Sequence, residues 1–350
     1  MLSFGNYKYE MRSAIHNPYL DTLGGGERYT LSVCSVLLSH GYSVDLEWKD
    51  KNIVEKLGDR FGLKLNGINI VDDIRRGDGY DFCFWVSDGS IPVLRARRNI
   101  LHFQVPFHDV KGRSLLNRMK LFRINKIVCN SVFTKKVIDK EFGVESVVVY
   151  PPIDVSDFKP KRKENLIIFV GRFSHLLQSK GQEVLIYAFK KFLEHSDDWR
   201  LVLAGGTEVG VGDFLKKLED ASAGYPIEIV KSPTFGELKD LYGRAKFYWS
   251  ASGFGINTKK FPERLEHFGI TVVEAMSAGV VPFVFNEGGA SEIVDNGKDG
   301  ILWKSTSELI RKAKSLSNDK KLTRQISKLA RQKANQFSYD KFEKEISSLL

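Results

Sequence analysis

Cysteine is scarce in this chain. Only Cys34, Cys83 and Cys129 occur in 350 residues, far apart, each among apolar neighbours, and no Cys-x-x-Cys pair is present. Three scattered thiols give no disulfide framework and read as buried and reduced. Long apolar runs are also missing. None reaches the roughly 18 residues a membrane helix needs, and the opening MLSFGNYKYE lacks the apolar stretch of a signal peptide. The expectation is a soluble, cytoplasmic protein, free to rest on the inner face of a membrane. There is no repeat of solenoid length, no Gly-x-x-x-x-Gly-Lys-Ser/Thr loop and no Gly-x-Gly-x-x-Gly fingerprint. The RNA-recognition, KH and zinc-finger signatures are absent as well.

What is present suits two cores rather than one. Apolar residues make up 42% of the chain and aromatic residues 12%, at a length comfortable for two domains. The formal charge of +10 is unevenly placed. Residues 95–126 carry nine Lys and Arg against Asp109 alone; residues 304–333 carry ten against Glu308 and Asp319. Such stretches suit anionic partners, namely phosphates, lipid headgroups or nucleic acid. The alternative is a pair of solvated helix faces, which is the favoured reading for the second stretch.

Short apolar runs alternate with helical patterns along the chain. SAIHN (13–17), YSVDLEW (42–48), YDFCFWV (80–86), NILHFQV (99–105), KIVCN (126–130) and SVVVY (146–150) read as strands. A helix is expected near 27–40, where Thr30, Val33, Cys34 and Leu37 recur at i, i+3, i+4 and i+7. The segment YPPIDVSDFKPKRKEN (150–165) interrupts the pattern, because its prolines fit neither sheet nor helix interiors. Alternation then restarts with strand LIIFVG (166–171), helix 181–195, strand RLVLAGG (200–206), a helix near 213–222, strand IEIV, helix FGELKDLYGRA and strand VVPFVF (280–285). This predicts an α/β protein of two doubly wound, Rossmann-like domains: 1–155, 156–335 with the ligand end, and a terminal helix in 336–350 packing back toward the first domain. Ligands of such domains bind at the C-terminal ends of the strands, and a cleft between facing domains is the expected site. Residues 1–10 form an extension before the first strand.

Three motifs carry chemistry. Gly24, Gly25 and Gly26 follow the first strand and open a helix, where bare backbone and the helix N-terminus favour an anion; a plain tight turn is the alternative. GRFSHLLQSKG (171–181) places Arg172 and Lys180 where a strand ends and a helix begins, so both cations can neutralise a diphosphate, or be ordinary surface charges. LEHFGITVVEAMSAG (265–279) holds Glu266 and Glu274 eight positions apart with Gly269 between them. Gly269, Ile270 and Thr271 offer backbone to a phosphate at a helix start. Glu274 sits about one turn further on, in an apolar helix where an unpartnered carboxylate is costly.

These glutamates, with FGI between them and AMSAG after, resemble the E-x7-E signature of retaining GT-B glycosyltransferases of family 4. GGGER (24–28), GRF…KG, GGASEIVDNGKDGILW (288–303) and FSYDKFEKEI (337–346) look like that family too, in the same order over nearly the whole chain. A narrower likeness, in ILHFQVP, CNSVFTKKVI, VYPPIDV and EHFGITVVEAM, is to α-1,2-mannosyltransferases that use GDP-mannose to extend lipid-linked oligosaccharide. This chain shows no N-terminal membrane helix of that kind, and GINTKKFPERL (255–265) looks like an insertion before Glu266.

The resemblance implies a GT-B fold and roles residue by residue. Arg172 and Lys180 would bind the donor diphosphate, Glu274 its ribose, and Glu266 would lie beside the transferred sugar. His102, at a strand end in LHFQVP, would be the active-site histidine, with an ordinary core histidine as its alternative. Gly24 to Gly26 would face phosphate and acceptor. The implied donor is a nucleoside-diphosphate sugar, GDP-mannose favoured over a UDP-sugar, and the implied acceptor is a glycan or lipid-linked glycan. No cofactor is expected. Fixed cations and helix amides can hold the charge of a departing diphosphate, and no Asp-x-Asp pair for a metal occurs. No nucleic acid is expected, although a basic nucleic-acid-binding protein is the alternative outside enzymes, and a sugar-nucleotide epimerase the alternative within the fold. Finally, RSLLNRMKLFR (113–123) aligns Leu115, Met119 and Phe122 on one helical face among basic residues. It fits either contact with anionic membrane or an inward apolar stripe.

Overall fold

The computed structural model describes residues 10–22, 24–61, 65–174, 180–194, 198–207 and 210–350; the expected N-terminal extension, Glu10 apart, lies outside them. The chain divides into two compact units. One holds residues 1–130, 134–151 and 342–350, the other 131–133 and 152–341.

In the N-terminal unit, strands β1 (Arg12–His16), β2 (Ser43–Glu47), β3 (Ile68–Val71), β4 (Phe82–Val86), β5 (Arg98–Phe103), β6 (Lys126–Cys129) and β7 (Val147–Val148) form one sheet in the order 3-2-1-4-5-6-7. Every pairing is parallel. Helices α1 (Gly25–Ser39), α2 (Ile53–Phe61), α3 (Leu115–Leu121) and α4 (Val132–Phe142) alternate with the strands. Parallel strands covered on both faces read as continuous apolar runs, as in β4, where only Trp85 of FCFWV escapes full burial. The face expected for α1 is the one it buries: Thr30, Val33, Cys34 and Leu37 are all at 0% exposure. The helix begins at Gly25, earlier than periodicity suggests, because the Glu27 carboxylate accepts the Gly24 N–H and closes the first turn.

The second unit repeats the plan. Strands β8 (Leu166–Val170), β9 (Arg200–Gly205), β10 (Ile227–Lys231), β11 (Phe247–Ser250), β12 (Val281–Phe285) and β13 (Ile301–Trp303) lie parallel in the order 10-9-8-11-12-13. Their helices are α5 (Gln182–Leu193), α6 (Gly212–Ser222), α7 (Phe235–Arg244), α8 (Ile270–Ser277), α9 (Thr306–Asn318) and α10 (Lys320–Ala334). The core is aromatic: Trp249 packs against Phe189, Phe192 and Phe283, and Trp199 stacks on Phe247 at 4.9 Å. The last helix, α11 (Tyr339–Ser347), ends in the N-terminal unit, where Phe342 meets the Tyr29 ring edge-on at 5.0 Å. Among the described residues no helix is long and apolar enough to cross a membrane.

Each strand order reverses at one point, between β1 and β4 in the first sheet and between β8 and β11 in the second. Chain leaving adjacent strands in opposite directions opens a crevice there, and doubly wound sheets bind ligands in it.

Candidate active site

The crevice of the second sheet gathers the motifs. The segment after β8 carries Arg172 and Lys180, and the segment after β11 carries Glu266 and leads into α8. Lys180 Nζ donates to Glu266 Oε2 at 2.8 Å across 86 residues of sequence, with side chains only 14% and 23% exposed. Burial pushes the Glu266 carboxyl up, but the Lys180 ammonium, His267 and the Ser252 hydroxyl together outweigh it and hold the group below its ordinary range. Glu266 is therefore a carboxylate at neutral pH. Arg172 is exposed, and its backbone carbonyl accepts the Gln182 side chain, which ties the β8 exit to the start of α5. Residues 175–179 of the expected cation loop lie outside the described residues.

Gly269 is the N-cap of α8 and sits in the left-handed region at φ +111°. A Cβ there would lie 3.1 Å from the Ala290 Cβ, so both backbone and space call for glycine. The Val272 amide donates to the Gly269 carbonyl at 3.0 Å, and the amides of Ile270 and Thr271 precede any carbonyl of their own helix that could accept them. Glu274, one turn in, is 7% exposed, and the Tyr242 hydroxyl donates to its Oε2 at 3.1 Å. Burial and the Glu274 charge push the Tyr242 hydroxyl well above its ordinary pKa, so it stays a donor. Thr271 is held in the same way: its Oγ1 lies 2.8 Å from the Tyr248 hydroxyl of β11.

Five supporting residues of this site were not expected from sequence. Tyr242, Tyr248 and Ser252 fix the orientation of Glu274, Thr271 and Glu266. Gly288 and Gly289 form the floor under the Glu266 loop: Gly289 N–H donates to Glu266 O at 2.7 Å, and a Cβ at Gly289 would sit 1.9 Å from the His267 carbonyl. The Gly-Gly pair was the signal that could have revealed that close approach. The segment expected as an insertion (255–265) is ordered locally by a turn at Pro262–Arg264 and by fully buried Leu265.

The other expected residues belong to the N-terminal unit. Gly24 is the N-cap of α1, and Gly25 and Gly26 form its first turn. A Cβ at Gly26 would run into the Gln104 side chain at 1.7 Å. The Gly24 amide is already taken by Glu27, which places a carboxylate where an anion would otherwise sit. His102, on β5, is fully buried, stacked on Tyr29 at 4.3 Å and Phe84 at 5.3 Å. Burial pushes its pKa down to about 3 against a smaller opposing pull from the Val128 backbone, so the imidazole is neutral.

A family model described as "Glycosyl transferases group 1" matches residues 153–333. The human GDP-Man:Man(3)GlcNAc(2)-PP-Dol alpha-1,2-mannosyltransferase is 32% identical over 219 residues, which is 56% of this chain and 42% of that protein. An uncharacterised glycosyltransferase of Methanocaldococcus jannaschii is 24% identical over 239 residues, 67% of this chain and 61% of its own. The chain spans less than half the length of the human and Dictyostelium discoideum mannosyltransferases it matches. Among solved structures, a glycosyltransferase from Rickettsia africae superposes with a TM-score of 0.78 at 18% identity, covering 97% of both chains. HepE from Anabaena, in complex with UDP and glucose, gives 0.74 at 17%, covering 97% of this chain and 99% of its own. At those identities the likeness is one of fold.

Proposed function

The chain belongs to the glycosyl transferases of group 1, and from that premise we propose that it moves mannose from a nucleoside-diphosphate sugar, GDP-mannose, to a glycan or lipid-linked acceptor with retention at the anomeric carbon and without a metal. Its two parallel sheets are those of the GT-B fold. The observation that carries the reading is the meeting, at the β8/β11 switch point, of the Lys180 ammonium, the open N-terminus of α8 at Gly269, and two carboxylates fixed by separate partners.

In this reading the diphosphate takes the amides of Ile270 and Thr271 and the charges of Lys180 and Arg172. Departure of the nucleoside diphosphate builds negative charge on its β-phosphate, and fixed cations and amides stabilise that charge without reorganising. Glu274, its rotamer set by Tyr242, accepts from ribose hydroxyls. Glu266, kept ionised by Lys180, lies beside the sugar, where a carboxylate orients hydroxyls and favours positive charge at the anomeric carbon. Gly24–Gly26 and His102 lie on the N-terminal unit, and the reading of the donor site rests on none of them.

A thermal-shift panel of nucleotide-sugars tests the donor. A ligand at about 100 times its dissociation constant adds about 2.7 kcal/mol of stability. GDP-mannose should give the largest shift and drive transfer, and Arg172→Ala should lower turnover by roughly 10²–10³. A panel led by UDP-sugars would transfer the reading to that donor; no response to any nucleotide-sugar would remove it.

A further inference from the structure

In α3 three of the four apolar residues, Leu115, Leu116 and Met119, point outward. Its inner side is the one carrying Asn117 and Leu121, and Leu121 packs against the cluster of Leu101, Phe103, Ile127 and Phe142. The opposite side presents Leu115 at 75%, Leu116 at 62%, Met119 at 61% and, just beyond the helix end, Phe122 at 90% exposure. No residue of the helix is buried. A contiguous apolar face of this kind on a soluble unit marks a contact surface.

The face is presented by pinned ends. Arg113 Nε donates to the Lys140 carbonyl, Ser114 Oγ accepts the Asn117 amide, and Arg123 Nε donates to the Leu94 carbonyl. The amides of Asp109, Val110 and Gly112 all donate to the Glu141 carboxylate, which fixes the approach to the helix.

Charge names the occupant. Residues 111–126 contain six Lys and Arg and no acidic residue, and the Glu141 carboxylate beside the approach to the helix accepts backbone amides. A second copy of this chain docking by the same face would bring two cationic rims together. An anionic bilayer meets both features, since its headgroups match the rim and its acyl boundary takes the apolar side chains. We infer that α3 and its flanks dock the protein on an anionic membrane surface. This inference does not depend on the donor: vesicle binding and nucleotide-sugar binding are read separately, and either can fail alone.

Co-sedimentation with phosphatidylcholine vesicles, with and without phosphatidylserine, tests it on the whole chain. The wild type should partition onto the anionic vesicles and release as ionic strength rises. Arg118→Gln with Lys120→Gln should lower the partition coefficient about 30-fold, the effect of removing two charges near an anionic surface. Leu115→Ser with Phe122→Ser should lower it as well, and both variants should melt at the wild-type temperature because no buried group is touched. Absence of binding by the wild type, or binding by both variants as strong as that of the wild type, overturns the inference. So does a dimer that Phe122→Ser dissolves while anionic vesicles are ignored, which would assign the face to a second copy.

Discussion

Replacing Lys180 by Met removes the ammonium that Glu266 faces at 2.8 Å and keeps the aliphatic stem. The carboxylate left behind is in a poor solvent, since only 23% of its side chain is exposed. Breaking a fully buried pair costs about 3–5 kcal/mol. The residual exposure and the Ser252 hydroxyl reduce that here to about 2–3 kcal/mol, or roughly 4–12 °C in Tm for a domain of this size. The pH dependence carries a sharper signature. In the wild type the Glu266 pKa is held down, so the pair's contribution is present above the unfolded carboxylate value of about 4.3 and is lost as pH falls through the folded value. In Lys180→Met the largest opposing cause is gone, burial is opposed only by His267 and the Ser252 hydroxyl, and the pKa rises relative to the wild type. The contribution then shrinks, and the variant loses less stability than the wild type as pH falls through the carboxylate range. Adding Glu266→Gln removes the buried charge and should restore most of the loss. The assay is thermal or urea unfolding of the four members of the double-mutant cycle between pH 4 and 8. Wild-type stability and pH slope in Lys180→Met would refute the ion pair as a structural element of the site.

Gly289→Ala should displace the Glu266 loop, costing on the order of 3 kcal/mol through the 1.9 Å approach to His267 O. Gly297→Ala, at φ +80° in open space, should cost only about 1–2 kcal/mol; equal melting temperatures would contradict this. His102→Leu should leave the fold intact and flatten the acid limb of the stability curve. The wild-type imidazole, at about 3 folded against 6.5 free, loses stability by roughly 1.4 kcal/mol per pH unit across that window as pH falls. A large drop in transfer by the same folded variant would mark contact with substrate, and full activity would leave His102 a core residue. Transfer should survive EDTA, and the product's anomeric proton coupling should show retention; loss of activity restored by Mn²⁺ would contradict the metal-free reading.

The doubly wound plan was legible because parallel strands buried on both faces are written as unbroken apolar words, such as LIIFV of β8 and FCFWV of β4. β11 was missed for a physical reason. Phe247–Ser250 follows α7 with no glycine or proline between them, so the run merges with the helical pattern, yet it is the strand beside the switch point and carries Tyr248. β3 and β13 are short edge pieces of four and three residues, too brief for alternation to show. The glutamates and Lys180 were visible as motifs, but their contact spans 86 residues and only the fold can make it. Tyr242 looked like one more residue on an amphipathic helix; its role comes from pointing at Glu274. For α3 the stripe of Leu115, Met119 and Phe122 was readable, but periodicity gives a face and not its direction. The exposure of Phe122 settles that the stripe looks outward.

The central claim is that a nucleoside-diphosphate sugar sits on the C-terminal unit at the N-terminus of α8. A crystal structure of the full chain with GDP-mannose, or with its non-transferable analogue, tests it most directly. The account predicts diphosphate oxygens on the amides of Ile270 and Thr271 and within reach of Lys180 and Arg172, ribose hydroxyls on Glu274, and the sugar beside Glu266. A nucleotide bound elsewhere, with the Lys180–Glu266 pair and the α8 N-terminus untouched, would contradict it.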